Sequence, residues 1–248
     1  MDAAERGLER MTKAFVLCGG EGTRLRPYTY SIPKPMLPLG KRPILEFVLD
    51  NLRANGITDI TLTIGYLGER IREHFGDGSR WGVRISYLEE KRPMNTAGSL
   101  YAARGKVRET FVVVMGDHLT TINLRRMVEW HKEKKAVATL GLKRQGTPLE
   151  YGIAEIDEEG CITKFEEKPI VTNLINAGVY VLEPEVFAFI APGKDFAKDV
   201  FPAMLAAKRR VCGYVFDEYW MDIGRIHDYE YLNQMISIID LVTRGREG

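Results

Sequence analysis

Cysteine is scarce in this chain, with three residues in 248: Cys18, Cys161 and Cys212. They are scattered, and no Cys-x-x-Cys pair or other ligand spacing occurs, so neither a disulfide framework nor a zinc site is indicated. Cys18 ends an apolar run and reads as a small buried thiol. A charge excess is missing too: 35 Lys and Arg against 34 Asp and Glu leave a net charge of +1. That balance gives no reason to expect nucleic acid or an anionic membrane as partner, so any anion must be held by a local cluster. No run approaches the ~18 apolar residues of a membrane span. Met1–Arg10 is charged and has no apolar signal core, which argues against a secretory signal. The cytoplasm is the expected location. Internal repeats, low-complexity stretches and linkers rich in Pro, Gly or Ser are also lacking.

What is present is ordinary globular material, 45% hydrophobic and 28% charged. Short apolar runs predict strands over Lys13–Leu17, Asp59–Ile64, Val83–Leu88, Thr110–Met115 and Ala136–Leu142. Helical patterns lie between them at Pro43–Asn55, Leu67–Phe75, Thr96–Arg104 and Leu124–Lys134. This alternation predicts an α/β fold with a mostly parallel sheet and helices on both faces. Ligands of such sheets bind at the carboxyl ends of the strands, which singles out the segments after Leu17, Leu88 and Met115. Beyond residue 143 the strands shorten: Ile153–Ile156, Cys161–Glu166, Ala177–Leu182 and Cys212–Phe216. Helices are expected at Glu183–Ile190, Phe196–Lys208 and Ile226–Leu241. Residues 1–11 read as an extension, and 12–248 as one domain with lobes 12–142 and 143–248.

The first strand runs into Gly19-Gly20-Glu21-Gly22-Thr23-Arg24-Leu25-Arg26-Pro27. Glycines directly after a strand let backbone amides approach an anion. A P-loop needs a Lys-Ser or Lys-Thr after its glycines, and none follows. A dinucleotide fold needs an acidic residue ending the second strand, which instead runs Thr63-Ile64-Gly65. What remains is a phosphate loop with two arginines, followed by Lys34 in Pro33-Lys34-Pro35. Arginine offers phosphate a rigid fork of donors, lysine a compact point charge.

The string from Gly19 to Thr29, with Pro33-Lys34-Pro35-Met36-Leu37 after it, resembles the signature of the sugar-1-phosphate nucleotidyltransferases. That family includes mannose-1-phosphate guanylyltransferases and glucose-1-phosphate thymidylyl- and uridylyltransferases, and further matches extend over about residues 12–230. The resemblance implies a Rossmann-like fold with a nucleotide-binding lobe and a smaller sugar-binding β lobe. It also implies transfer of a nucleotidyl group from a nucleoside triphosphate to a hexose 1-phosphate, and a homo-oligomer. Arg24 would bind the triphosphate and stabilise the transition state, and Lys34 would contact the phosphates near the reacting centre. Leu17, Gly19, Gly20, Gly22 and Thr23 would line the nucleotide.

Asp117 follows the strongest strand, and Asp222 lies in Trp220-x-Asp222-x-Gly224. Magnesium favours a few carboxylates together with phosphate oxygens and water, and both aspartates resemble the family's metal-ligand positions. His118 reads as a bystander or indirect contact, because a sugar phosphate is already anionic and needs no general base.

Glu89–Leu100 matches the loop that reads the nucleobase, with Glu89, Thr96, Ala97 and Gly98 as candidates and Thr96 as a helix cap. Its Thr-Ala-Gly string resembles the guanylyltransferase form, although Asn95 stands where glycine is usual. For the sugar, Gly152, Glu167, Lys168, Asn176, Tyr180 and Trp220 match family segments around the hexose. Glu167 suits paired hydroxyls and Lys168 a phosphate. The preferred reading is GTP with mannose 1-phosphate; the alternative is dTTP or UTP with glucose 1-phosphate. A glycosyltransferase would show an Asp-x-Asp motif, which Gly116-Asp117-His118-Leu119 is not. A non-catalytic regulatory subunit would lack some of Arg24, Lys34, Asp117 and Asp222, and all four are present. Hexapeptide repeats are absent, so no C-terminal β-helix domain is expected.

Overall fold

A computed structural model describes residues 13–244. The expectation for residues 1–11 lies outside them. Seven strands form the central sheet: β1 (Lys13–Cys18), β2 (Asp59–Ile64), β3 (Arg84–Glu89), β4 (Phe111–Met115), β5 (Ala138–Pro148), β6 (Ile170–Leu182) and β7 (Val211–Val215). Their spatial order is β7-β5-β6-β4-β1-β2-β3. All neighbours are parallel except β6, which runs antiparallel to both β4 and β5. Mixed sheets of this kind put one reversed strand in an otherwise parallel array.

The central strands are apolar on both faces because helices and turns cover both. Ala14, Val16, Val112 and Val114 face one core with Leu45 and Leu49 of α1 (Ile44–Ala54) and Met127 of α3 (Leu124–Glu133). Phe15, Phe111 and Val113 face the other, against Phe187, Phe196 and Phe201. The alternation is the two-residue period of a strand. Between these lies α2 (Gly68–Phe75), and after them α4 (Phe201–Ala206) and α5 (Ile226–Arg244). A third cluster joins Leu25, Leu37 and Leu39 to Ile223, Tyr229 and Leu232, so the closing helix is packed against the loop that follows β1.

Some elements differ from expectation. The helix expected over Thr96–Arg104 is a helical turn, Asn95–Gly98, then a separate 3-10 turn, Tyr101–Ala103. Gly98 lies against backbone, where a Cβ would come within 2.7 Å of the Gly193 nitrogen. The amides of Ala97 and Gly98 donate to the Lys194 carbonyl. Two strands are longer than their apolar runs suggest. β5 continues to Pro148 and β6 begins at Ile170, because the largely exposed stretches beyond the core pair with one another from Lys143–Ile175 out to Pro148–Ile170. With the antiparallel pair Ile153–Ile156 and Ile162–Glu166 they form an arm, in which every residue from Arg144 to Lys168 is exposed. Among the described residues no helix is long and apolar enough to cross a membrane.

Candidate active site

The carboxyl ends of β1, β2 and β4 lie side by side, with Cys18 opposite Ile64 and Leu17 opposite Met115. Beyond Cys18 the chain turns through Gly19–Gly22 into a 3-10 turn, Thr23–Leu25. Gly22 has φ 63°, and a Cβ there would sit 3.1 Å from Cβ of Lys34, so glycine serves both conformation and space. The Thr29 hydroxyl donates to the Gly22 carbonyl at 2.9 Å, and buried Leu25 anchors the turn in the third core cluster. The resulting cleft of about 220 Å³ is lined by Leu17, Gly20, Thr23, Arg24, Lys34 and Asp117.

Two short strands bring the carboxylates together. Trp220–Asp222 pairs antiparallel with His118–Thr120, and Asp222 falls opposite His118. Gly116 permits close packing before Asp117, since a Cβ would meet the Cys18 sulfur at 2.5 Å. Lys34, 8% exposed, forms an ion pair with Oδ2 of Asp117, and its Nζ lies 3.7 Å from Oδ1 of Asp222. Arg24 borders the same group, because a Cβ on Gly224 would be 3.0 Å from Oδ2 of Asp222 and 3.5 Å from Nη1 of Arg24.

Of the two expectations for His118, bystander or indirect contact, the structure shows a contact. Its Nε2 lies 3.3 Å from Oδ1 of Asp222 and 3.7 Å from Oδ1 of Asp117, while Nδ1 lies 3.1 Å from the Ala177 carbonyl. Burial alone would raise the Asp222 carboxyl, but the hydrogen bond and charge of His118, then Lys34 and Arg24, hold it at about 2. Burial also works against the charged form of His118. The bond to Asp222 and the charges of Asp117 and Asp222 outweigh it and raise the imidazole above its usual value. One ligand atom from each of Asp117, His118 and Asp222 fits within 4.8 Å, a donor set able to hold a divalent cation. The strand pairing that recruits His118 is only three residues long and leaves no periodic signal in the sequence.

On the side of β3, the structure distinguishes two neighbouring glutamates. Glu89 points outward and pairs with Arg72 at 3.4 Å. Half-buried Glu90 instead lies over the phosphate loop, where a Cβ on Gly19 would be 2.5 Å from its Oε1. Burial raises the Glu90 carboxyl, opposed by the amide of Met94, which donates to Oε2 at 3.3 Å. Asn95 has φ 56°, and asparagine is among the few non-glycine residues that take the left-handed region readily. Its place at a usual glycine therefore has a backbone reason. Thr96 does not cap the helical turn. Its hydroxyl donates to Asp195 at 2.7 Å and accepts from the Phe196 amide at 2.8 Å. A second, mainly apolar cleft of about 290 Å³ runs between Glu89, Glu90, Met94, Gly98 and Tyr101.

The residues expected around a sugar are divided. Gly152 and Glu167 meet in the arm, where a Cβ on Gly152 would be 2.7 Å from Oε2 of Glu167 and 2.6 Å from Cζ of Phe165. Lys168 beside them has φ 47°. None of the three lines the cleft beside the glycine loop. Tyr180 corrects the expectation of a pocket residue. It lies opposite Val113 and Leu140 in the sheet, packs on Phe196 and Phe201, and is 3% exposed. Its hydroxyl accepts from Nδ2 of Asn176 at 2.9 Å, and burial pushes its pKa up to about 12. Asn176 is exposed and also accepts from the Gly178 amide at 3.0 Å. Trp220 donates to the Ala177 carbonyl at 2.8 Å and sets its ring edge-on to His118 at 5.6 Å.

Known proteins are similar to this chain along most of its length. It is 40% identical over 222 residues to a mannose-1-phosphate guanylyltransferase of Mycobacterium tuberculosis, covering 87% of this chain and 62% of the relative. It is 37% identical over 241 residues to a UTP–glucose-1-phosphate uridylyltransferase of Synechocystis, covering 88% of this chain and 61% of the relative. The chain thus spans about three fifths of the length of those two. A D-glycero-alpha-D-manno-heptose 1-phosphate guanylyltransferase of Campylobacter jejuni is 34% identical over 218 residues, 88% of this chain and 96% of the relative. The crystal structure of HddC from Yersinia pseudotuberculosis has the same fold at a TM-score of 0.73 and 24% identity, covering 91% of this chain and 99% of that one. The nucleotidyl transferase family matches residues 13–237, which take in the phosphate loop, both aspartates and the arm, and this chain belongs to that family.

Proposed function

We propose that this protein transfers a nucleotidyl group from a nucleoside triphosphate to a hexose 1-phosphate. An oxygen of the sugar phosphate attacks the α-phosphorus, the bond from that phosphorus to the bridging oxygen of the β-phosphate breaks, and pyrophosphate leaves with the electron pair. The observation that carries this reading is the convergence of Arg24 and Lys34 with Asp117 and Asp222 on one cleft beside the glycine loop. Such a site works by positioning and by neutralising charge on the phosphates, with no covalent intermediate. Arg24 and the loop amides would bind phosphate oxygens, and Lys34 would stand at the reacting centre. A divalent cation held by Asp117 and Asp222, magnesium being the expectation from sequence, would supply further charge neutralisation.

For the base we favour guanine. The Glu90 carboxylate beside Gly19 is an acceptor with two oxygens, and guanine offers two adjacent donors where uracil and thymine offer one. Two of the relatives above are guanylyltransferases. Mannose 1-phosphate is the preferred sugar, with Gly152, Glu167 and Lys168 of the arm as its contacts. We further propose a cytoplasmic homo-oligomer.

The test is pyrophosphate release over a matrix of five nucleoside triphosphates and several hexose 1-phosphates with magnesium. GTP with mannose 1-phosphate is expected to give the fastest release. A uridine or thymidine triphosphate with glucose 1-phosphate leading instead would overturn the specificity, and no release from any pair would overturn the reaction.

A further inference from the structure

We infer that His118 supplies a nitrogen ligand to the cation of this site, making it a mixed Asp–His–Asp centre that binds Mn²⁺ more tightly than Mg²⁺. The inference rests on the proposed cation role of Asp117 and Asp222. Two ligands in adjacent positions, each ~2.1 Å from one ion, are ~3.0–3.5 Å apart. The separations of His118 Nε2 from Oδ1 of Asp222 and Oδ1 of Asp117, 3.3 and 3.7 Å, are close to that spacing.

The orientation of the ring supports the same conclusion. Nδ1 faces the Ala177 carbonyl at 3.1 Å. A carbonyl can only accept, so the hydrogen belongs on Nδ1. Without a cation Nε2 shares its proton with the carboxylate of Asp222; a cation between the two carboxylates would displace that proton and take the Nε2 lone pair in its place. A ring nitrogen donating to a backbone carbonyl while the other faces the metal is the usual second contact of a ligating histidine. The backbone enforces the pose. Gly178 has φ 68°, and a Cβ there would come 2.8 Å from Cε1 of His118, while Trp220 closes the ring's other side edge-on. Asp117 also divides its oxygens, Oδ2 to Lys34 and Oδ1 toward His118. The ammonium therefore leaves the cation one oxygen from this aspartate. Magnesium favours oxygen alone, whereas manganese keeps the same octahedral oxygen chemistry and stands higher in affinity for nitrogen-bearing sites.

The experiment binds Mn²⁺ alone to the full chain and records electron spin echo modulation. Coupling to a ¹⁴N nucleus is expected, and labelling histidine with ¹⁵N should change its frequency without altering the fold. In a titration, His118→Gln should weaken Mn²⁺ about tenfold or more and Mg²⁺ by a smaller factor. Bound Mn²⁺ with no histidine coupling in the unmodified protein overturns the inference, as does equal weakening of the two ions. The aspartate reading fails separately, through Mn²⁺ binding to Asp222→Asn as tightly as to the original chain.

Discussion

The strand β6 crosses two environments, and the contrast between them divides the site. From Ala177 to Leu182 it is buried in the sheet, and Ala177 fixes both His118 and Trp220 through its carbonyl. From Ile170 to Leu174 the same strand is exposed, together with the arm in which Gly152, Glu167 and Lys168 reside. The phosphate end must hold several charges within a few ångströms of one another. It does so with side chains rooted in packed strands, which give preorganised electrostatics. The arm, with the proposed sugar contacts Gly152, Glu167 and Lys168, consists of paired strands without a core of their own. Two-stranded units of this kind are marginal alone. The two ends of the proposed substrate pair would thus be held by regions of very different burial.

The largest expected effect lies at the buried end. Asp222→Ala should abolish metal-dependent turnover while circular dichroism and thermal unfolding stay near those of the parent. Retained activity would remove Asp222 from the cation site. Arg24→Ala comes next, with a loss of about 10²–10³ in kcat, by analogy with removing one donor to a developing charge. Arg24 is exposed and anchors no core, so near-normal turnover in that variant would show the charge to be dispensable.

Much of the buried end was legible because its signals are local. The run Lys13–Leu17 and its glycines gave the strand and loop, Val112–Val114 gave β4, and the rule for strand ends placed Asp117. Legibility failed where partners are distant in sequence. Nothing near His118 announces a three-residue pairing with Trp220–Asp222. Thr96 has the pattern of a cap, but Asp195 and Phe196, a hundred residues away, take its hydroxyl. Glu89 and Glu90 alternate across β3 and its end, and only the packing of Gly19 against the carboxylate of Glu90 tells them apart. Tyr180 sits in an apolar alternation that already favoured the core, and its resemblance to a sugar-lining position misled. In the arm, strands pair with neither face buried, and apolar residues such as Ile153, Phe165 and Ile170 stay exposed, so hydrophobic periodicity could not report their length.

A smaller effect should separate Glu90 from the phosphate machinery. Glu90→Gln replaces a pure acceptor by a group that accepts once and donates, a better match to uracil or thymine than to guanine. The ratio of kcat/KM for GTP to that for UTP should fall about tenfold, the loss of one good base contact. Hydrolysis or release unrelated to base should not move, and an unchanged ratio would leave base choice to the backbone of the loop after β3.

One substitution made in both regions puts the comparison to stability, and its member in the arm is the smallest effect of all. Phe111 is fully buried between Phe15 and Phe187, so Phe111→Ala should cost about 3–5 kcal/mol in denaturant unfolding. Phe165 in the arm is 63% exposed, and Phe165→Ala should fall within about 0.5 kcal/mol of the parent. The comparison breaks if the second substitution costs more than about 1 kcal/mol. That outcome requires Phe165 to be covered in solution, and the proposed homo-oligomer offers a cover. Its signature would be a midpoint of unfolding that rises with protein concentration in the parent and less so in Phe165→Ala, because a partner that binds only the folded chain stabilises by mass action. A midpoint independent of concentration, together with a near-zero cost, would leave the arm as free as its exposure indicates.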